Sequence, residues 1–198
     1  MIRRGPCLVL LALLAGCGSL PRGGGYYQDD GPPATVPADV LRIPDAVPKD
    51  EPLSPYGNKT YHIAGHSYTP LKDAVGYRER GVASWYGKKF HGKRTSSGEP
   101  YDMHAMTAAH RTLPLPCYAR VRNLANGQSV IVRVNDRGPF HDNRLIDLSY
   151  TAAARLGVLG TGTGLVEVEA VSPREPAPVQ VAGAGAEPRL YLQIGAFA

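Results

Sequence analysis

Three side chains near the middle of the chain are of the types that move protons: Asp136, Glu99 and His110. Asp136 directly follows the run Ser129–Asn135 and precedes Arg137-Gly138-Pro139, where a strand gives way to a turn. That position suits a turn-capping carboxylate and equally a proton donor held at the wall of a groove. Glu99 lies in the polar loop Ser96-Ser97-Gly98-Glu99-Pro100. His110 ends the apolar run from Thr107, where a satisfied, partly buried imidazole fits as well as a functional one. A guanidinium touching a carboxyl favours its charged form, so the neighbouring Arg137 matters. Successive side chains on extended chain point to opposite sides, which lets Arg137 turn elsewhere.

Groups suited to holding a polar ring lie nearby. Trp85, the only tryptophan, and Tyr86 offer flat faces for stacking, although small cores also use such aromatics. Alternation sends the two rings to opposite faces, so at most one of them is expected to line a groove. Arg133 and Arg144 can each grip a carboxylate through paired donors, and Asp147 reads as a structural acceptor near a helix start. His91, His104, His110 and His141 share this stretch with Asp102, Asp136 and Asp142, yet no HExxH, HxH or CxxC spacing appears. No metal and no other cofactor is expected. Cys117 in Leu115-Pro116-Cys117-Tyr118 reads as a small buried residue entering a strand.

These groups need a frame, and the texture from Gly81 to Val171 supplies one. Val82–Tyr86, Thr107–His110, Tyr118–Arg122, Ser129–Val134 and Leu165–Val171 are rich in β-branched and aromatic residues and read as strands. Asn126-Gly127 predicts a hairpin through a type I′ turn, which takes positive φ at both central residues. Ser149 as N-cap, the Ala-rich Thr151–Leu156 and Gly157 as a left-handed terminator predict one short helix. Together they suggest an all-β fold, a small closed barrel without open sheet edges.

The flanks differ in composition. Residues 18–80 hold 9 of the 18 prolines and the triplet Gly23-Gly24-Gly25 without any sustained period. This predicts an extended tether, whose last part from Tyr56 to Arg80 can pack on the barrel. Residues 172–188 return to Pro, Ala and Gly, a second disordered linker. The formal charge of +5 is concentrated in residues 81–171, with eleven Lys and Arg against seven Asp and Glu. Such a block suits an anionic polymer or surface, and the lack of a basic helix with interleaved aromatics argues against nucleic acid. At the start, Met1-Ile2-Arg3-Arg4, the apolar Leu8–Leu14 and Leu14-Ala15-Gly16-Cys17 resemble a bacterial lipoprotein signal. That resemblance implies removal of residues 1–16, lipidation of Cys17 and, with Gly18 following in place of Asp, anchoring in the outer membrane by several acyl chains.

Several motifs in order carry a more specific resemblance: GVASWYG at 81–87, FHG at 90–92, TSSGE at 95–99, TAAH at 107–110, LP at 113–114, VRVNDRGPF at 132–140 and RLIDLS at 144–149. Residues 81–171 are similar to rare lipoprotein A. The resemblance implies a six-stranded double-psi β-barrel and a lytic transglycosylase of peptidoglycan, which acts between N-acetylmuramic acid and N-acetylglucosamine and leaves 1,6-anhydro ends. It also implies a preference for glycan strands without stem peptides, action at the division septum, and Asp136, Glu99 and His110 as functional positions. Within that reading Trp85, Tyr86, Arg133 and Arg144 would contact the glycan. One carboxyl suffices, because the muramyl C6 hydroxyl replaces the water of a hydrolase, whereas hydrolytic glycosidases normally use two.

Tyr191–Ala198 resembles the opening strand of a SPOR domain, a module that binds stripped septal glycan, and 189–198 is expected to be its truncated start. Peptidoglycan, the outer membrane and septal division proteins are therefore the expected partners of a lipoprotein facing the periplasm. The alternative is a non-catalytic glycan-binding or division-scaffold lipoprotein that keeps the groove without turnover. A metal-dependent wall peptidase is the third reading.

Overall fold

The computed structural model describes residues 29–173. The signal segment 1–16, Cys17 and the segment 189–198 lie outside the described residues, as does most of the 172–188 stretch. The elements are β1 (Tyr61–Ile63), β2 (His66–Tyr68), β3 (Arg78–Trp85), β4 (Thr107–His110), β5 (Cys117–Asn123), β6 (Ser129–Asp136), β7 (Ile146–Leu148), α1 (Tyr150–Leu156) and β8 (Gly164–Val171). Strands β3, β7, β4, β6, β5 and β8 close in that order into a barrel. β3 runs parallel to β7 and β4 to β6, and the other neighbours are antiparallel. This is the expected double-psi β-barrel with one short helix. No helix among the described residues is long and apolar enough to cross a membrane.

The strand period of two builds the core. Ala119 and Val121 of β5, Val130, Val132 and Val134 of β6, and Val166 and Val168 of β8 are all buried, on alternate positions that share the inner face. Between them on β8, Glu167 pairs across to Arg80 and Arg122, and Glu169 to Arg78 and Arg120. Three of these, Arg80–Glu167, Arg78–Glu169 and Arg120–Glu169, are partly exposed ion pairs, which contribute roughly 0–1 kcal/mol each. Their larger effect is on register, since a slip of one residue would turn these charges inward. Cys117 opens β5 half-buried and without a disulfide, and burial pushes its thiol up to about 12.

Local signals act mostly as the residues require. Ser149 Oγ accepts from the Ala152 N–H at 3.2 Å, and Gly157 ends α1 with φ of 75°. β5 and β6 pair as expected, but the connection differs: Gly127 alone takes positive φ, and its N–H bonds to Asn123 O at 2.9 Å across a longer loop. The two positive φ values of a type I′ turn occur instead at Ala64 (48°) and Gly65 (81°), where β1 meets β2.

The larger departure is at the N-terminal side. From Asp29 to Asn58 the chain is a strap laid on the barrel and not a free tether. Ala46 N–H bonds to Ile131 O at 3.0 Å and Ser54 N–H to Leu115 O at 2.8 Å. Asn58 both donates to Leu115 O (2.6 Å) and accepts from its N–H (2.8 Å). The Asp30 carboxylate accepts from the N–H groups of Gly87 (2.9 Å) and Lys89 (3.0 Å). A side chain at position 87 would meet Gly31 O at 2.0 Å, so only glycine permits this approach.

Candidate active site

A row of four residues crosses the barrel around Ala109. On β4, Ala109 pairs with Asp147 of β7 on one side and Asp136 of β6 on the other, and Asp147 pairs with Ser84 of β3. The row depends on an irregularity: Ala108 pairs with Val134 and Ala109 with Asp136, so Asn135 is passed over. Without that bulge Ala109 would oppose Asn135, and Asp136 would turn to the other face. Strands lie about 4.8 Å apart, which sets the two Asp Cα atoms roughly 10 Å from each other with a methyl group between them. A pocket of about 590 Å³, part of it open to solvent, lies over Asp136, Ala109 and Asp147 of the row and is lined also by Trp85, Tyr86, Phe90 and Arg144, with Asp30 of the strap at its edge.

Asp136 is held by one oxygen. Its Oδ1 accepts from Ser96 N–H (2.8 Å), Ser96 Oγ (2.7 Å) and Arg137 N–H (2.7 Å). Its Oδ2 has no hydrogen bond among the described residues and is left for the pocket. The Arg137 guanidinium turns away to Gly57 O (2.8 and 3.0 Å), His110 O (3.0 Å) and Leu113 O (2.5 Å). The cation next in sequence therefore braces three segments beneath the site and forms no side-chain ion pair with Asp136.

Asp147 is the second acid of the pocket, and its motif had suggested only a structural acceptor. Burial raises its carboxyl, while Arg144 and the Ser84 hydroxyl pull it back part of the way. Ser84 Oγ donates to Oδ1, and Arg144 Nη2 lies 3.4 Å from Oδ2. The available signal was an acid flanked by Ile146 and Leu148, both fully buried on a three-residue strand.

Four of the other six residues singled out above lie elsewhere or in unexpected company. Trp85 and Tyr86 both line the pocket, because β3 ends at Trp85 and strict alternation stops there. Trp85 stands edge-on to Tyr150, and Tyr86 stacks on Tyr101 with centroids 4.1 Å apart. Arg144 lines the same pocket. Glu99 and Arg133 lie on the other side of Asn135. Arg133 grips Glu51 of the strap at 2.8 and 2.9 Å and also bonds Glu99. Burial alone would raise the Glu99 carboxyl, but Arg133, Asn135 and Ser97 outweigh it and hold it low. Glu99 is thereby a charged clamp at the end of the loop that carries Ser96. Among the described residues, no three His, Cys, Asp or Glu side chains gather as a metal site.

His110 is almost fully buried and makes no hydrogen bond to Asp136. Its Nδ1 accepts from the N–H groups of Thr112 (3.1 Å) and Leu113 (2.9 Å), so its proton sits on Nε2, 2.8 Å from Tyr77 OH. Burial, reinforced by Arg137 and Arg111, lowers the imidazole to about 3. An unfolded histidine titrates near 6.5. Between those values the unfolded chain binds the extra proton, so this stability is intact above about pH 6.5 and is lost as pH falls towards 3, by about 1.4 kcal/mol per pH unit. Urea unfolding is expected to show a decline of about 2 kcal/mol from about pH 7 to about pH 5, much reduced in His110→Asn. An equal decline in the variant would assign the effect to other groups.

Residues 78–169, from the first residue of β3 nearly to the end of β8, match a family model described as lytic transglycolase. The chain is 52% identical over 174 residues to a Vibrio cholerae protein named endolytic peptidoglycan transglycosylase RlpA, covering 86% of this chain and 65% of that protein. The barrel belongs to the rare lipoprotein A family. A second rare lipoprotein A protein of the same name, from Pseudomonas aeruginosa, is 55% identical over 151 residues, which is 73% of this chain and 44% of its own length. The chain thus spans 65% and 44% of these two relatives. Among solved structures, Streptomyces papain inhibitor aligns with a TM-score of 0.42 and 24% identity, over 50% of this chain and 99% of that one. Within the rare lipoprotein A barrel, all the pocket residues except Asp30 fall inside the matched segment.

Proposed function

We propose that this chain is an endolytic lytic transglycosylase that cleaves peptidoglycan glycan between N-acetylmuramic acid and N-acetylglucosamine. The observation that carries the reading is Asp136, anchored through Oδ1 with Oδ2 left to an aromatic-walled pocket. The names of the two relatives support it.

Asp136 Oδ2–H protonates the glycosidic oxygen as the bond from muramyl C1 to that oxygen breaks. The muramyl C6 oxygen then bonds to C1, its proton passes to Asp136, and a 1,6-anhydro ring closes without water. Trp85, almost fully buried against Tyr150, shapes the wall of the pocket without offering an open stacking face. Arg144 pairs with a muramyl carboxylate, and Asp147, steadied by Ser84 and Arg144, stabilises the positive charge that develops on the ring. Glu99 and His110 are positioning residues: Glu99 fastens the loop bearing Ser96, and His110 braces β4 and offers its carbonyl to Arg137. In the cell, lipidated Cys17 holds the enzyme to the outer membrane, and the enzyme works at the septum on strands stripped of stem peptides.

The test is product analysis. The full chain, purified in detergent and incubated with amidase-treated sacculi, is expected to release fragments that mass spectrometry identifies by 1,6-anhydromuramyl ends. Reducing ends would make it a hydrolase using both aspartates, and intact strands would leave a glycan-binding lipoprotein.

A further inference from the structure

The pocket over Asp136 reaches Arg137 and Phe140, and a second pocket of about 640 Å³ begins at the same two residues. Its wall includes Ser96, whose N–H and hydroxyl hold Asp136. Asp136 therefore stands at the border between two pockets. The rest of the second pocket comes from Tyr56, Lys59, Tyr61 and Ile63, in and before the β1–β2 hairpin and outside the segment that matches the family model.

The hairpin is tied to the barrel. Tyr61 stacks on Tyr68 with centroids 5.2 Å apart, and Phe140 packs against both at 6.1 and 5.7 Å. Tyr61 OH donates to Arg111 O at 2.9 Å, and the Arg137 guanidinium lies 5.9 Å from its ring centre. Around the mouth, three large apolar side chains nevertheless stay in water: Tyr56 at 74% exposure, Ile63 at 39% and Phe140 at 37%. A single exposed hydrophobe needs no explanation, whereas a group of them around one opening beside reactive groups marks a binding surface. The mouth also carries Lys59, an exposed cation with no carboxylate partner among the described residues.

We infer that this second pocket is a saccharide subsite, which stacks the N-acetylglucosamine on the far side of the cleaved bond against Tyr56 and pairs Lys59 with the lactyl carboxylate of the muramic acid that follows it. The inference rests on the transglycosylase reading and gives it a cause for substrate preference. The lactyl carboxyl is a charged carboxylate only when the stem peptide is absent; with the peptide attached it is an amide, and Lys59 has no anion at that position. A bare strand also slides past Phe140 and Tyr56 without a branch at the rim.

Tyr56→Ala and Lys59→Glu in the full chain test this, because both side chains are exposed and melting curves should match wild type. On amidase-treated, peptide-free strands each variant is expected to raise KM about 10-fold, the pattern of lost binding rather than lost chemistry. Lys59→Glu should also narrow the discrimination between stripped and peptide-bearing glycan. The same strands are titrated against Asp136→Asn alone and combined with either substitution, a binding measurement that does not depend on cleavage. If wild type cleaves and both variants keep its KM and its discrimination, the subsite is wrong and the enzyme reading stands. If wild type does not cleave, the titration decides: weaker binding supports the subsite while the enzyme reading falls, and unchanged binding overturns the subsite as well.

Discussion

Asp136→Asn is expected to abolish release of anhydromuramyl fragments while leaving the barrel folded. The amide keeps an oxygen where Oδ1 accepts from Ser96 N–H, Ser96 Oγ and Arg137 N–H, so the anchoring bonds survive. Its NH₂ group takes the place of Oδ2, the atom that in the proposed mechanism gives a proton and takes one back. Loss of a general acid commonly costs about 10²–10⁴-fold, and in the proposed mechanism one group serves both half-steps. Product yield by mass spectrometry, with melting curves beside it, checks both halves of the expectation. Activity within about tenfold of wild type would remove Asp136 as the acid. Abolition by Asp147→Asn in its place would move the role across Ala109 to the carboxyl that burial has raised.

The bulge explains why only part of this site could be read from residues. Alternation identified the strands carrying Val130, Val132, Val134, Val166 and Val168, because burial on one face writes a period of two into the chain. A one-residue irregularity at Asn135 leaves no such trace, yet it decides that Asp136 and not Asn135 joins Ala109 and Asp147. β7 was hidden for a related reason, since three residues show too little pattern to separate from a turn. Tyr86 defied the alternation rule because it lies one residue beyond β3. The strap was invisible in another way. Its attachment runs through isolated bonds, Asp30 to Gly87 and Lys89, Glu51 to Arg133, and Asn58 to Leu115. None of these recurs with a period, and proline-rich composition reads as free chain whether or not it is fastened.

Fastening of that kind gives Arg137 more weight than its place beside the acid suggested. Arg137→Met should destabilise the folded chain by about 3–5 kcal/mol, the largest loss expected of any single surface-reaching residue here. The carbonyls of Gly57, His110 and Leu113 would lose their donor together. Each buried acceptor left unsatisfied costs about 1–3 kcal/mol. Lysine should recover only part, because a single ammonium cannot span carbonyls on three segments as the flat guanidinium does. Arg78→Met is the control: its side chain is 58% exposed and its partner Glu169 keeps Arg120, so a change of no more than about 0.5 kcal/mol is expected. Urea unfolding midpoints at constant slope measure all three. If Arg137→Met matches wild type within about 1 kcal/mol, the strap and β4 are held by other contacts. If the large loss is found, the sequence pair Asp136-Arg137 has divided its work: one side chain turns up to the pocket, and the next turns down and fixes the floor on which the first is aimed.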